Sequence, residues 1–295
     1  MLTFVPLFLL FDWMLPADSM TIRFNFPLRR TYRDIPLSMS EDSIDDMYFG
    51  CDNEMMEKVQ TYYLKKEMKF KPFAKAWSSA DKWAEKKPSE EDKALTKDHM
   101  QAICVYTDDH IYNTFNKAVR EEKSSYSTKF KFHSLHFLLT SAMQILNSNN
   151  HCHTTYRRSH DTFTGLENQI IRFGSFASSS YRDDIFDFGT KTCFKIKTCL
   201  GAFLKNYSVY DDEAEVLIPP YETFRVTRKI IGRSESGELA DCDLVYELES
   251  AGAASRMNCK AVYPWVISAP SSRLQERKNL LRSRPKLSDF LITTE

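Results

Sequence analysis

The apolar residues of this chain change period near residue 150, and no other feature constrains the fold as much. From Ile44 to about Leu146 they recur at helical spacing. The clearest stretches are Met55-Met56-Val59-Tyr62-Tyr63, Phe73-Trp77-Ala80-Trp83-Ala84 and Leu135-Leu138-Leu139-Ala142-Met143-Leu146. Ser89 ahead of Glu90-Glu91-Asp92 reads as a helix start, because acidic side chains favour a first turn. Beyond Asn147-Ser148-Asn149-Asn150 the apolar runs become short and alternating or continuous. Ile170–Phe173, Thr192–Lys197, Val216–Ile218, Phe224–Thr227, Asp243–Leu248 and Ala261–Tyr263 are read as strands divided by polar turns. No Pro/Gly/Ser-rich linker separates the halves, and no internal repeat is found. The expectation is one α+β unit, a mainly helical N-terminal part packed on a mixed or antiparallel β-sheet.

At 295 residues the chain has ample core, and 42% hydrophobic residues with only 8 Gly and 11 Pro argue against global disorder. Lys and Arg total 40 against 40 acids, so net charge offers no argument for nucleic acid or an anionic membrane as partner. The apolar run from Met1 to Phe11 is too short to span a bilayer and matches the core of a secretory signal over residues 1–20, with cleavage near Ala17. A hydrophobic N-terminal strand or a misassigned start codon are the other readings of it. No run of about 18 apolar residues follows, so no membrane span is expected. The C-terminal residues show no long apolar anchor tail, which favours a soluble secreted form. Residues 264–295 read as a basic, solvated tail, with six cations against one acid between Ser271 and Lys286.

Seven cysteines are scattered without any Cys-x-x-Cys spacing, which excludes the common zinc and redox motifs. In an exported chain they would pair, and an odd number leaves at least one thiol. Spacing alone does not fix the connectivity. Asn206-Tyr207-Ser208 is a glycosylation sequon consistent with the same compartment.

The stretch most suggestive of chemistry is Asp211-Asp212-Glu213-Ala214-Glu215, running into Val216-Leu217-Ile218-Pro219-Pro220. A strand starting by Glu213 would put Glu213 and Glu215 on one face, roughly 7 Å apart along the chain. Two like charges held side by side call for a cation to meet them. Two further segments carry polar residues that a plain core strand would not need. Thr154-Thr155-Tyr156-Arg157-Arg158 is a cationic strand end, and Arg172–Ser180 runs into the hydroxyl cluster Ser178-Ser179-Ser180. Taken singly each has a structural reading, as a surface ion-pair partner, a turn or cap, and an acidic loop.

In this order, Arg157, Ser178 and Glu213-x-Glu215 resemble the Arg, Ser and Glu-x-Glu signature of arginine-specific mono-ADP-ribosyltransferases, most closely the vertebrate extracellular branch. Ile44–Cys51, Ile103–Thr107, Thr198–Ala202 and Glu215–Glu222 are similar to further strings of that family, over roughly residues 44–263. Arg158 departs from it, because many relatives carry a small residue there. The resemblance implies NAD as co-substrate, no metal, and arginine-bearing proteins as acceptors, with a monomer expected. It gives Glu215 the stabilisation of the ribosyl cation, Glu213 the orientation of the acceptor guanidinium, Arg157 the cofactor's phosphate or adenosine-side ribose, and Ser178 the bracing of ribose and Glu215. It also implies disulfides Cys51–Cys259 and Cys152–Cys199, leaving Cys193 and Cys242 unassigned. Cys104, in an apolar run read as a strand, is expected to be a buried filler. The alternatives are an NAD glycohydrolase, in which water replaces arginine, and a catalytically silent secreted binding protein.

Overall fold

The structure, a computed structural model, describes residues 34–264 apart from 109 and 234–236. The signal peptide read at 1–20 and all but the first residue of the tail read at 264–295 lie outside the described residues. The chain opens with a short strand β1 (Asp34–Pro36), which later pairs with β3 (Thr162–Thr164). The helical layer follows. Helix α1 (Asp52–Lys58) continues through a π-helical turn, Val59–Tyr63, into α2 (Leu64–Glu67). After it come α3 (Lys71–Ser79), α4 (Lys97–Thr107), α5 (Tyr112–Glu121) and α6 (His133–Leu146).

Helix α6 is the spine of that layer. Leu135, Leu138, Leu139, Ala142 and Met143 are fully buried, as expected of a helix that is apolar nearly all round. Its first amides need acceptors, and Glu67 supplies them. Oε1 accepts from His133 N at 2.6 Å and Oε2 from Ser134 N at 3.0 Å. Helix α4 starts at Thr96, which caps His99 N while His99 Nδ1 accepts from Thr96 N at 3.0 Å. This helix contains Ile103–Thr107, so Cys104 sits in a helix rather than the strand expected from its run of five residues. A short apolar run has no period of its own, and the cap upstream decides it. Ser89 stands before only a single 3₁₀ turn, Glu90–Asp92, and its hydroxyl donates to the Asp92 carboxylate rather than capping an amide.

Beyond residue 150 a mixed sheet forms. Its eight strands lie in the order β4 (Ile170–Ile171), β9 (Glu222–Ile231), β10 (Leu244–Ala253), β6 (Thr192–Thr198), β2 (His153–Ser159), β5 (Ala177–Ser180), β8 (Glu215–Ile218), β7 (Ala202–Phe203). Within this sheet only the β6–β10 pair is parallel, and the separate β1–β3 pair is parallel too. The β2–β5 junction is narrow, with one paired position, Tyr156 opposite Ser180. One face of the sheet packs on the helices through Phe176, Ala202 and Leu217, and Ile171, Phe194, Ile196, Phe224 and Tyr246 form a second apolar layer. Ala261–Tyr263, read as a strand, is instead a turn, with Val262 N and Tyr263 N donating to Cys259 O beyond a left-handed Cys259.

Cys51–Cys259 and Cys152–Cys199 are bonded as the resemblance implied, and a third disulfide joins Cys193 to Cys242. Cys104 is the free thiol, buried, and its desolvated environment pushes its pKa up to about 12. The first disulfide ties the start of α1 to the chain beyond β10. By the chain-entropy model such loops are worth about 3–5 kcal/mol each.

Candidate active site

A cleft opens where β2 and β5 share only that one paired position. Arg157, Ser178, Glu213 and Glu215, the four residues expected from the sequence, all line it. Arg157 projects from β2, and its Nη1 donates to Ser178 O at 2.6 Å, bridging the narrow junction. Three serines follow one another on β5, but two hydroxyls are committed to backbone. Ser179 Oγ donates to Val216 O at 2.8 Å, and Ser180 Oγ donates to Glu213 O at 2.5 Å.

Glu215 is the first residue of β8 and pairs with Ser180. It is 2% exposed, and Oε2 accepts from Ser208 Oγ at 3.0 Å. Glu213 lies outside the strand. It ends a 3₁₀ turn, Asp211–Glu213, and Ala214 then adopts a left-handed conformation with φ 47°. The expected strand start at Glu213 is therefore wrong, because a left-handed residue breaks the ladder. Both carboxylates still line one cleft, Glu213 from the turn at 7% exposure and Glu215 from the strand. That turn is pinned from β5: Ser180 holds its carbonyl, and Arg182 Nη1 donates to Asp212 O at 3.2 Å.

Arg158, the departure from the family pattern, is 5% exposed and pairs through both Nη atoms with Asp241, at 2.8 and 3.0 Å. Its Nε and Nη2 donate to Asp183 O, and its guanidinium lies 4.7 Å from the Phe186 ring centre. Ile185 and Phe188 of the same segment line the cleft. Arg158 thus fastens one cleft wall to the Asp241 turn, which the Cys193–Cys242 disulfide ties to β6. The pairing with Arg158 holds the Asp241 carboxyl below its ordinary range.

Helical residues close the inner side. Tyr112 of α5 lines the cleft, and Tyr106 of α4 lies beneath it, edge-on to Tyr112 with ring centres 5.2 Å apart. Burial pushes the Tyr106 phenol well above its usual pKa, and the neighbouring Tyr112 and Glu215 add to this. It remains a neutral hydrogen-bonding group. The arrangement suits a ligand with an anionic part near Arg157 and a centre that becomes cationic beside Glu215. Among the described residues no three His, Cys, Asp or Glu side chains form a metal-holding group.

Sequence reasoning did not find Ser208, Arg158's tie to Asp241, or Tyr106. Ser208 belongs to the sequon, and in the sequence its hydroxyl signals only glycosylation. Exposed Asn206 and buried Ser208 show the two ends of that triplet facing different surroundings.

Residues 37–238 match the model of the family described as NAD:arginine ADP-ribosyltransferase. The chain is 32% identical over 240 residues to an erythroblast NAD(P)(+)--arginine ADP-ribosyltransferase of Gallus gallus, covering 78% of this chain and 77% of that protein. It is 33% identical over 254 residues to the GPI-linked NAD(P)(+)--arginine ADP-ribosyltransferase 1 of Mus musculus, covering 78% and 74%. Among solved structures, the eukaryotic mono-ADP-ribosyltransferase ART2.2 superposes with a TM-score of 0.63 at 32% identity, covering 76% of this chain and 98% of that one. A mutant of ART2.2 in complex with NAD superposes with a TM-score of 0.61.

Proposed function

The chain belongs to the NAD:arginine ADP-ribosyltransferase family, and we propose that the cleft between β2, β5 and β8 is where it moves ADP-ribose from NAD to arginine side chains. NAD is the co-substrate. The glycosidic bond between nicotinamide and ribose breaks, its electron pair leaving with nicotinamide. A guanidinium nitrogen of the acceptor then bonds to the ribosyl carbon and gives up one proton.

Glu215 stabilises the positive charge that develops on the ribose, and Ser208 holds this carboxylate in place at 3.0 Å. Glu213, in the turn before β8, faces the incoming guanidinium and takes its proton. Arg157 binds the cofactor's phosphate or adenosine-side ribose, where a planar multi-donor cation suits an anion. Ser178 braces the ribose. The observation that carries this reading is that a turn and a strand start bring two largely buried carboxylates to the same cleft as Arg157.

The enzyme works outside the cell or at its surface, and three disulfides fit an oxidising compartment. We assign it to the secreted class, acting on arginine-bearing acceptor proteins. Purified protein given labelled NAD and polyarginine is expected to label the polymer. Free ADP-ribose alone would make it a glycohydrolase, and neither product would make it a silent binding protein.

A further inference from the structure

A second feature lies away from the cleft and shares no lining residue with it. Between the end of α2 and the turn before α6 runs an open groove edged by Lys66, Lys69, Lys129 and Lys131, with Phe70, Thr128 and Phe130 between them. All four lysines are exposed, and Lys65 and Lys71 flank them. None of these six pairs with an acid among the described residues. Elsewhere the chain pairs many of its cations, as in Arg172–Asp45, Arg158–Asp241, Lys195–Glu238 and Lys205–Asp92. The concentration is notable in a chain whose 40 cations equal its 40 acids.

The groove has one acid, Glu67, and its charge is already met. It is 3% exposed and binds the first amides of α6, with His133 Nδ1 3.4 Å away. That contact also occupies the α6 N-terminus, so a single phosphate has no helix end to bind here. What remains is a set of exposed ammonium groups, two of them against aromatic rings. Lys131 Nζ stands 4.7 Å from the Phe70 ring centre, and Lys66 Nζ 5.4 Å from that of Tyr62.

We propose that this groove binds a linear sulfated polysaccharide. Lysine is a strongly hydrated point charge, suited to several weakly directional sulfates rather than to one bidentate anion. An open groove edged by exposed lysines, with half-buried Phe70 and exposed Thr128 among its lining residues, accepts a pyranose chain along its length. A protein with three disulfides belongs to the oxidising space where such polyanions occur, and nucleic acid is not the expected partner there. The site would hold the enzyme on a sulfated matrix without using any residue of the NAD cleft.

The test uses the full chain on immobilised heparin, with salt elution. Replacing Lys66, Lys69, Lys129 and Lys131 together by Gln should weaken binding on the order of a hundredfold, as loss of four charge contacts to a polyanion implies. NAD-dependent transfer to a small guanidine acceptor should stay unchanged, and so should the thermal midpoint. Should the fourfold variant fold poorly, heparin protection of the same four lysines from acetylation in the unsubstituted protein reads the site directly. Three results would overturn the proposal: retention unaffected by the four substitutions, retention lost only on neutralising the cations between Ser271 and Lys286, or binding to phosphatidylserine vesicles with none to heparin.

Discussion

Glu215 and Glu222 stand seven residues apart on consecutive strands, equally hidden from solvent, in opposite surroundings. Glu222 is 0% exposed and accepts from Cys199 N at 2.7 Å, Leu200 N at 3.1 Å, Ser250 Oγ at 2.6 Å and the Thr198 hydroxyl. It seals the turn between β6 and β7 beside the Cys152–Cys199 disulfide. Burial raises its pKa, while these donors oppose the rise. Glu215 is 2% exposed, braced by Ser208, and lines a cleft with Arg157. Burial therefore does not separate a carboxylate that closes on backbone from one proposed to act in catalysis. What separates them is whether the carboxylate closes on backbone amides or faces a cavity.

The comparison breaks most readily on paired substitutions. Glu215→Gln should lower transfer and NAD hydrolysis by at least on the order of a thousandfold with little change in thermal midpoint, read by labelled NAD turnover and calorimetry. Retention of a tenth of either rate would remove Glu215 from catalysis. Glu222→Ala should do the reverse. It strands two buried amides and costs about 2–4 kcal/mol of stability, seen by denaturant unfolding, while turnover per folded molecule stays within about threefold.

Arg158 sharpens the contrast from the cleft wall. Arg158→Ala frees the segment from Asp183 to Phe188, so the KM for NAD should rise about tenfold with kcat nearly constant, a loss of about 1.4 kcal/mol of binding. Asp241→Ala should give the same split, and the double variant no more than either single change. A lower midpoint with an unchanged KM would make Arg158 a purely structural residue.

A smaller effect concerns Asp46, a third hidden carboxylate. Burial pushes its pKa up to about 7, although Tyr48 N, Cys259 N, Ala261 N and the Tyr126 hydroxyl all donate to it. An acid whose pKa is raised in the fold contributes stability fully below its ordinary pKa, and that contribution is lost as pH rises through about 7. The stability of the protein relative to Asp46→Asn should therefore shrink between pH 4 and pH 7. Buried His99 and His136, lowered to about 4 and about 3, act the opposite way in that window, so the comparison must be with the variant.

Much of this was legible in the sequence, for identifiable reasons. The switch of period near residue 150 marks the helical and sheet layers because burial on one face forces it. Arg157, Ser178, Glu213 and Glu215 were found by resemblance, and all four line the cleft. The turn at Glu213 was not legible, since nothing in Ala214 advertises a left-handed backbone. Nor was Cys193–Cys242, because a pairing across 49 residues depends on how β6 meets the chain before β10. Ser208 escaped because contact with Glu215 arises from the fold of the 3₁₀ turns before β8.

The most direct test of the account is the partition of ADP-ribose between arginine and water in Glu213→Gln. Glutamine keeps the size of the side chain and removes the charge that would meet the acceptor guanidinium, while Glu215 stays in place. Transfer to polyarginine should fall on the order of a hundredfold, and NAD hydrolysis should persist or rise. A parallel fall of both activities would contradict the division of labour and place Glu213 with the cofactor.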